Sequence, residues 1–545
     1  MTEGPASSEA SQTTTPERSD LLGRFALCFL LLWIPVYSLA SIHGDVFSGL
    51  PLVYSALVFA APAGLLSFAL GSAGRRRRAG LLGILVAFFL DLQIPGLGSL
   101  LLVFVALALG GLFWVLRENL LRILLPTFAT ILLSMAVFPG APALPEDDAH
   151  AASPAASPTE RGLYVHLLLD ELSGPHGLPP DLAAPAAGRT QLIDFMERYG
   201  FAIAEESSST YSSSVDSISD LLNFGTLDPD KPVYTGKHPY LLERNAYFER
   251  LGNARGPLRV VQSDYMDFCR GAPTPLASCR TYRHDGLSWL AEEPWTAGQK
   301  TKLLLGIYGN RPGWIEFVVK RVRRGRRSLS NQGLTFPTVL DWNGTLAPLN
   351  GMQALDRLSE ELVAGPADAT WFAHLLIPHS PYVFDSRCEL RPDPFRWLSN
   401  FPRYLRSNDE AGRQTRYAQY TEQLTCTLDR LAHLLDRLDS ADRLESATIV
   451  IQGDHGTRIS LLALRDVDRE RSSAQEIHDV YGAIFALRSP AEVDLPSGSQ
   501  ASLPNLLERA SRNVMEAAHT DALEAKPVVL SGAAERSSSN ADFRR

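Results

Sequence analysis

An α/β domain carried behind an N-terminal bundle of about five transmembrane helices is the fold class this sequence predicts, and three patterns predict it. From Leu21 to Phe138 apolar residues dominate in stretches long enough to cross a bilayer core of ~30 Å. Beyond residue 160, short apolar runs alternate with longer amphipathic ones, as strands and helices taking turns would. Between them lies an Ala/Pro/Ser-rich segment, 140–160, which reads as a linker. The length of 545 residues leaves room for more than one domain, and a hydrophobic content of 45% excludes a wholly disordered chain. A net charge of -9, from 51 Lys+Arg against 60 Asp+Glu, argues against a nucleic-acid partner. Five cysteines are too few for a disulfide-rich scaffold.

Taken in order, residues 1–20 are Ser/Thr-rich and read as a loose cytoplasmic tail. Region 21–139 holds the expected spans, near 22–42, 50–71, 79–96, 98–116 and 119–138; the third is the least apolar because of Asp91, Gln93 and Pro95. Arg18 and Arg24 precede the first span, Arg75–Arg78 follow the second, and Arg117 and Arg122 follow the fourth, whereas the other short loops carry no Lys or Arg. Positive loops stay in the cytoplasm, so the N-terminus is expected inside and everything after Gly140 outside. The protein is thus expected to be multi-pass in the cytoplasmic membrane, with the lipid bilayer as a partner. Its ionisable residues within the spans are Asp91 and groups near span ends, which disfavours a transporter.

The outer part reads as one domain, 161–530, with a flexible tail at 531–545. Strands are expected at Leu163–Leu169, Phe201–Ala204, Leu258–Gln262, Trp371–Ile377, Ala447–Gln452 and Gly482–Leu487. Helices are expected at Gln191–Tyr199, Val215–Phe224, Trp314–Arg324, Ala354–Val363, Arg413–Leu438 and Leu503–Ala517. Near-continuous apolar strands between helices imply a sheet covered on both faces, whose chemistry collects at strand carboxyl ends. Cys269, Cys279, Cys388 and Cys426 all fall in this part, an even number suited to two disulfides in an oxidising compartment. Proximity favours Cys269–Cys279, leaving Cys388–Cys426; four buried thiols are the alternative.

Four stretches can carry chemistry. In YVHLLLDELS a strand runs into Asp170 and Glu171, hard oxygen ligands for a cation, with a polar turn as the plainer reading of this stretch alone. In IVIQGDHGTR a strand ends in Asp454 and His455 between two glycines, a donor pair suited to Zn²⁺ or Mn²⁺. In SSSTYSSSVDSISDLL, Ser214 is placed at a helix N-cap, where a hydroxyl meets the positive field of the helix end. In HLLIPHSPY, His379 follows a strand and can face a substrate oxygen. Arg458 is a further candidate for phosphate oxygens, with a surface salt bridge as the plainer reading, and His478 could approach the same place. The run Arg321–Arg327 reads as a solvated helix end.

Together the order of acidic strand end, hydroxyl, PHSPY and GDHG resembles the sulfatase-like branch of the alkaline phosphatase superfamily, over roughly residues 161–490. The spans before the domain resemble the branch's lipoteichoic acid synthases and phosphoethanolamine transferases. The resemblance implies a central mixed β-sheet covered by helices on both faces, and one divalent ion (Zn, Mn or Ca). It implies Asp170, Glu171, Ser214, Asp454 and His455 as metal ligands, Ser214 as nucleophile, and His379 with Arg458 at the substrate. Ser217-Ile218 sets the register to Ser214, but Ser219 stands where the family often has Pro, so Ser212 and Ser213 stay open. From Ser214 the chain reads Ser-Val-Asp-Ser-Ile, without the Pro and Arg of formylglycine-dependent sulfatases. Phosphoryl transfer from a lipid-linked or envelope-glycan substrate through a Ser-linked intermediate is therefore expected. A phosphodiesterase or sulfuric ester hydrolase of the same fold, and a non-catalytic tethered binding protein, are the alternatives. The oligomeric state is left open.

Overall fold

The computed structural model of the chain describes residues 16–93, 99–116, 120–137, 162–204, 206–226, 234–235, 239–284, 286–291, 294–309, 346–393, 397, 410–460, 472–491, 495 and 502–520. The expected linker at 140–160, the helix Trp314–Arg324 and the basic run Arg321–Arg327 lie outside them, as do most of both tails.

Helices Pro16–Ile42, Leu50–Ser72, Arg75–Gln93, Ser99–Leu116 and Leu120–Val137 stand where five spans were expected. Two of them, over Leu21–Ser41 and Leu50–Ser72, are long and apolar enough to cross a membrane, and Leu101–Leu116 and Arg122–Met135 are shorter apolar segments. The third falls short because Arg75–Gln93 spends its first turn on four arginines and carries Asp91 near its end. Leu57, Leu65, Phe68, Leu107 and Val115 project from these helices uncovered. The helices Arg75–Gln93 and Ser99–Leu116 cross with no side chain between them: a Cβ on Gly83 would stand 2.7 Å from the Ala106 carbonyl oxygen and the Gly110 nitrogen.

The outer domain is built on strands β1 (Tyr164–Leu169), β2 (Ala202–Ile203), β5 (Leu258–Ser263), β7 (Leu276–Tyr282), β8 (Thr370–Leu375), β9 (Thr448–Gly453) and β10 (Phe485–Arg488). They form a seven-stranded sheet in the order β2-β10-β9-β1-β8-β5-β7. The run from β9 to β7 is parallel; β10 pairs antiparallel with β9 and β2, so the sheet is mixed. Every residue of β1, β8 and β9 is buried, which is why their sequences show no alternation. Val165, Leu167 and Leu169 face one core with Leu192, Leu355 and Leu431; Tyr164 and Leu168 face the other with Ile218, Tyr247 and Leu506. The helices on the first face are Ala183–Arg198, Ala347–Ala364 and Glu410–Ser440, and on the second Ser214–Leu221, Ala246–Arg255 and Leu503–Thr520.

Strand β7 and a small sheet of β3 (Tyr234–Thr235), β4 (Tyr240–Leu242) and β6 (Met266–Asp267) were not expected. LASCRTY at β7 is a half-covered edge strand with no apolar run, and two- or three-residue strands are too short to show a period. Cys269–Cys279 and Cys388–Cys426 are both joined, as proximity favoured, and Cys28 is a buried thiol in the first helix.

The two regions share a core. The short helix Gly44–Phe47, in the loop after the first long helix, packs on residues 288–291 and on the outer-domain helix Ala297–Gly309. Phe59 meets Tyr308 edge-on at 5.6 Å, and Val36, Leu39 and Phe47 join Leu303 and Leu304 in one apolar cluster. That loop therefore lies on the outer domain's side, while Arg75–Arg78 sit beyond the far end of Leu50–Ser72.

Candidate metal centre and active site

β1 and β9 are parallel neighbours in register, Leu169 opposite Gly453, so the residues that follow them emerge side by side. Asp170 and Glu171 continue β1; Asp454 and His455 continue β9. Gly453 is needed there because a Cβ would collide with the Leu172 carbonyl oxygen. The nucleophile candidate reaches the same point from the helix Ser214–Leu221. Ser213, not Ser214, is the N-cap, and it makes no capping bond with its side chain, so Ser214 is the first helical residue rather than the expected cap. A run of hydroxyls offers several equivalent caps, so sequence alone could not fix the last residue. Ser217 ties this helix to β9: its hydroxyl donates to the Asp454 carbonyl oxygen at 2.5 Å and meets Ser209 Oγ at 2.7 Å.

Ser214 Oγ stands 3.3 and 3.4 Å from the two Asp170 carboxylate oxygens and 3.1 Å from His455 Nε2. His455 Nδ1 donates to the Gly456 carbonyl at 2.9 Å, so in the neutral ring Nε2 presents a lone pair to the cluster. Burial first, and then the Arg458 charge, lower the imidazole's pKa and favour that neutral form. Asp454 Oδ1 accepts the Glu171 and His455 backbone N–H groups at 3.0 and 2.8 Å. Its buried Oδ2 has no hydrogen-bond partner among the described residues and stands 3.2 Å from His455 Nε2. Burial raises the Asp170 carboxyl well above the ordinary range, helped by the negative neighbours Asp454 and Glu171. Burial pushes Asp454 upward too, but His455, the Glu171 N–H and Arg458 outweigh it and hold it low.

Glu171 is fully buried and pairs with Arg458; its Oε2 accepts the Ser380 N–H at 3.1 Å, and His379 Nε2 lies 3.7 Å from its Oε1. Arg458 Nη1 also donates to the Ser212 carbonyl at 2.9 Å. His379 is held by Gln423, whose amide donates to the Pro378 and His379 carbonyls at 2.9 Å each. The structure thus gathers Asp170, Glu171, Ser214, His379, Asp454, His455 and Arg458, from segments almost 290 residues apart. His478 instead stands edge-on to His176, with ring centres 5.3 Å apart.

Asp170, Asp454 and His455 offer ligand atoms within 4.8 Å of one another, and so do Asp170, Glu171 and His379. The first set fits a divalent ion well. It has two carboxylates, an imidazole lone pair and an unsatisfied buried oxygen, and its two negative charges equal one dication once Glu171 and Arg458 are counted as cancelling. Such an arrangement can hold one cation and bring a serine hydroxyl to it.

Sequence reading missed two groups here. Asp479, on the helix Ala474–Tyr481, accepts from Thr457 Oγ1, from Tyr417 OH at 2.6 Å and from the Ser460 N–H at 3.0 Å, clamping the segment after GDHG. His374 on β8 is fully buried with neither ring nitrogen partnered among the described residues, and burial lowers its pKa to about 4. A lone Asp beside His478 and a His inside an apolar strand carry no pattern that would single them out.

No family model matches the chain, and no curated protein matches it. Solved structures to which it is similar share about a tenth of their residues with it, at TM-scores below 0.5. A lipoteichoic acid synthase from Listeria monocytogenes is 10% identical over 65% of this chain and 72% of that one, with a TM-score of 0.33. The soluble domain of a lipooligosaccharide phosphoethanolamine transferase A from Neisseria meningitidis is 11% identical over 68% and 92%, with a TM-score of 0.35. A protein of the alkaline phosphatase superfamily from Vibrio parahaemolyticus is 10% identical over 65% and 67%, with a TM-score of 0.36.

Proposed function

We propose that the chain is a membrane-anchored, metal-dependent transferase of the cell envelope. It would move a phospho-substituent of phosphoglycerol or phosphoethanolamine type through a Ser214-linked intermediate. The observation that carries this reading is the convergence of Ser214 Oγ, Asp170 and His455 Nε2 within 3.1–3.4 Å, beside the orphaned Asp454 Oδ2. Asp170, Ser214, Asp454 and His455 would hold one divalent ion, Zn, Mn or Ca, whose charge makes a serine hydroxyl more acidic. Ser214 Oγ attacks phosphorus, the bond from phosphorus to the donor's alcohol breaks, and the proton lost by Ser214 is made up on that alcohol. An acceptor alcohol or water then attacks phosphorus and returns the proton to Ser214. His379 and Arg458 face the non-bridging oxygens, where fixed positive charge and donors do most in a water-poor site.

The five helices of region 21–139 would all lie in the bilayer, with domain 161–530 on the extracytoplasmic side, so that a lipid-linked or envelope-glycan donor reaches the site along the membrane. The test is turnover of a phosphodiester by the full chain in detergent, read with metal content and intact mass. Ser214→Ala should lower turnover about 10³-fold or more and abolish the covalent adduct while the protein stays folded and inserted. Undiminished turnover would move the nucleophile elsewhere, and a wild type that binds no divalent ion would leave a non-catalytic tethered domain. Free phosphoester in water with no modified acceptor would make it a hydrolase.

A further inference from the structure

Five non-glycine residues among those described adopt the left-handed backbone conformation: Glu171, Phe224, Cys388, Asp442 and Arg458. Two of the five, Glu171 at φ 62° and Arg458 at φ 56°, are the partners of the buried ion pair in the site. Side chains other than Asn and Asp rarely take that conformation, and it persists only where the surroundings over-determine it. Here they do. The Glu171 N–H is fixed on Asp454 Oδ1 at 3.0 Å and its carbonyl accepts from Tyr420 OH at 3.0 Å. The Arg458 N–H is fixed on the Asp479 carbonyl at 3.0 Å. The segments that follow β1 and β9 thus each take this uncommon conformation at the residue whose side chain enters the pair.

We infer that Glu171 is a positioning residue and not a metal ligand: it orients Arg458 and the His379–Ser380 turn toward the oxygens of the transferred group. This rests on the metal-site reading above. Three observations carry it. Both carboxylate oxygens of Glu171 are already committed, Oε1 to the guanidinium and Oε2 to the Ser380 N–H at 3.1 Å. Arg458 spans from Glu171 to the Ser212 carbonyl, 2.9 Å from Nη1 and two residues before Ser214, so the planar fork is held beside the nucleophile. Charge is balanced only in this division: Asp170 and Asp454 against a dication, Glu171 against Arg458. Recruiting Glu171 to the ion would take its partner from a largely buried guanidinium. The rival arrangement is a real one, because Asp170, Glu171 and His379 also offer ligand atoms within 4.8 Å of one another.

The experiment uses the full chain in detergent. Bound Mn²⁺ or Zn²⁺ is counted by elemental analysis after equilibrium dialysis, and inorganic phosphate binding to the metal-loaded protein is followed by calorimetry. Glu171→Gln should keep one ion per chain, as the wild type does, whereas Asp170→Asn should lose it. Phosphate should bind Glu171→Gln about tenfold more weakly, because the guanidinium is no longer held. If Glu171→Gln fails to fold, the charge-neutral double variant Glu171→Gln/Arg458→Gln carries the metal half of the test: a retained ion supports the inference that Glu171 is no ligand. Loss of the ion in either variant overturns it by making Glu171 a ligand. Phosphate binding that is unchanged or tighter overturns it too, since Glu171 would then only repel the anion. A wild type that binds no ion sinks the metal-site reading itself, which is a different result from loss confined to the Glu171 variants.

Discussion

The two halves of the site sit one residue apart in sequence yet obey opposite electrostatics. On one side, Asp170 and Asp454 both lie against the His455 ring, at 3.8 and 3.2 Å from its Nε2, and Asp170 is held well above the ordinary carboxylate range. On the other side, Glu171 is as deeply buried, but a guanidinium answers its charge and a backbone N–H its second oxygen. A buried charge is tolerated when paired and hydrogen-bonded, and otherwise takes up a proton or an ion. Adjacent carboxylates therefore sit in different settings: one half is a group that could hold a cation, the other is paired as it stands.

The largest expected effect that tests this contrast comes from removing the ion. Chelation should destabilise the outer domain by about 4 kcal/mol relative to protein in metal at a thousandfold excess over its dissociation constant. Replacing Asp454 with Asn should shrink that difference to near zero, because one of the two carboxylates offered to the ion is then gone. Thermal or denaturant unfolding with and without chelator measures both. A chelation effect that survives intact in the Asp454 variant would break the division of the site.

Asp479 sharpens the comparison from outside the cluster. Burial raises its pKa from 3.8 to about 6, in spite of hydrogen bonds from Thr457 and Tyr417 that act the other way. The folded state thus binds this proton more tightly than the unfolded chain. Its stabilising contribution is complete below about pH 4 and is lost as pH rises through about 6, a span worth about 3 kcal/mol at 1.36 kcal/mol per pH unit. Asp479→Asn should remove that slope. Unfolding free energies at pH 4 and pH 7, compared between the wild type and the variant, check it; an unaltered slope would mean that another group carries the proton.

How much of this could be read from the chain follows from what makes a local signal. YVHLLL and TIVIQG announced β1 and β9 because strands buried on both faces are continuously apolar, and the polar residues behind them are the ones that come together at the sheet's end. The partition of that chemistry was illegible. Asp170 and Glu171 look equivalent as a DE pair, and their fates are decided by Arg458 and Ser380, both more than 200 residues away. Asp479 was missed for the same reason, since its partners Tyr417 and Thr457 come from other segments. In the N-terminal region, hydropathy located all five helices, but four arginines and Asp91 in Arg75–Gln93 left that helix short of an apolar span. The closeness of Gly83 to Gly110 is a backbone fact that no hydropathy window reports.

The smallest effect expected is at Ser217, the landmark from which Ser214 was placed. Its hydroxyl joins Ser209 to the Asp454 carbonyl and so couples the Ser214 helix to the end of β9. Ser217→Ala leaves a buried carbonyl without its donor and should cost about 1–2 kcal/mol of stability. Because that helix is anchored only indirectly to the Glu171–Arg458 half, the loss should fall on the metal half: weaker ion binding by a few-fold, with phosphate affinity at saturating metal unchanged. Equilibrium dialysis and calorimetry on one preparation separate the two. If phosphate affinity falls while ion binding holds, the serine helix belongs to the anion side, and the boundary between the halves must be redrawn through Ser212, whose carbonyl already receives Arg458.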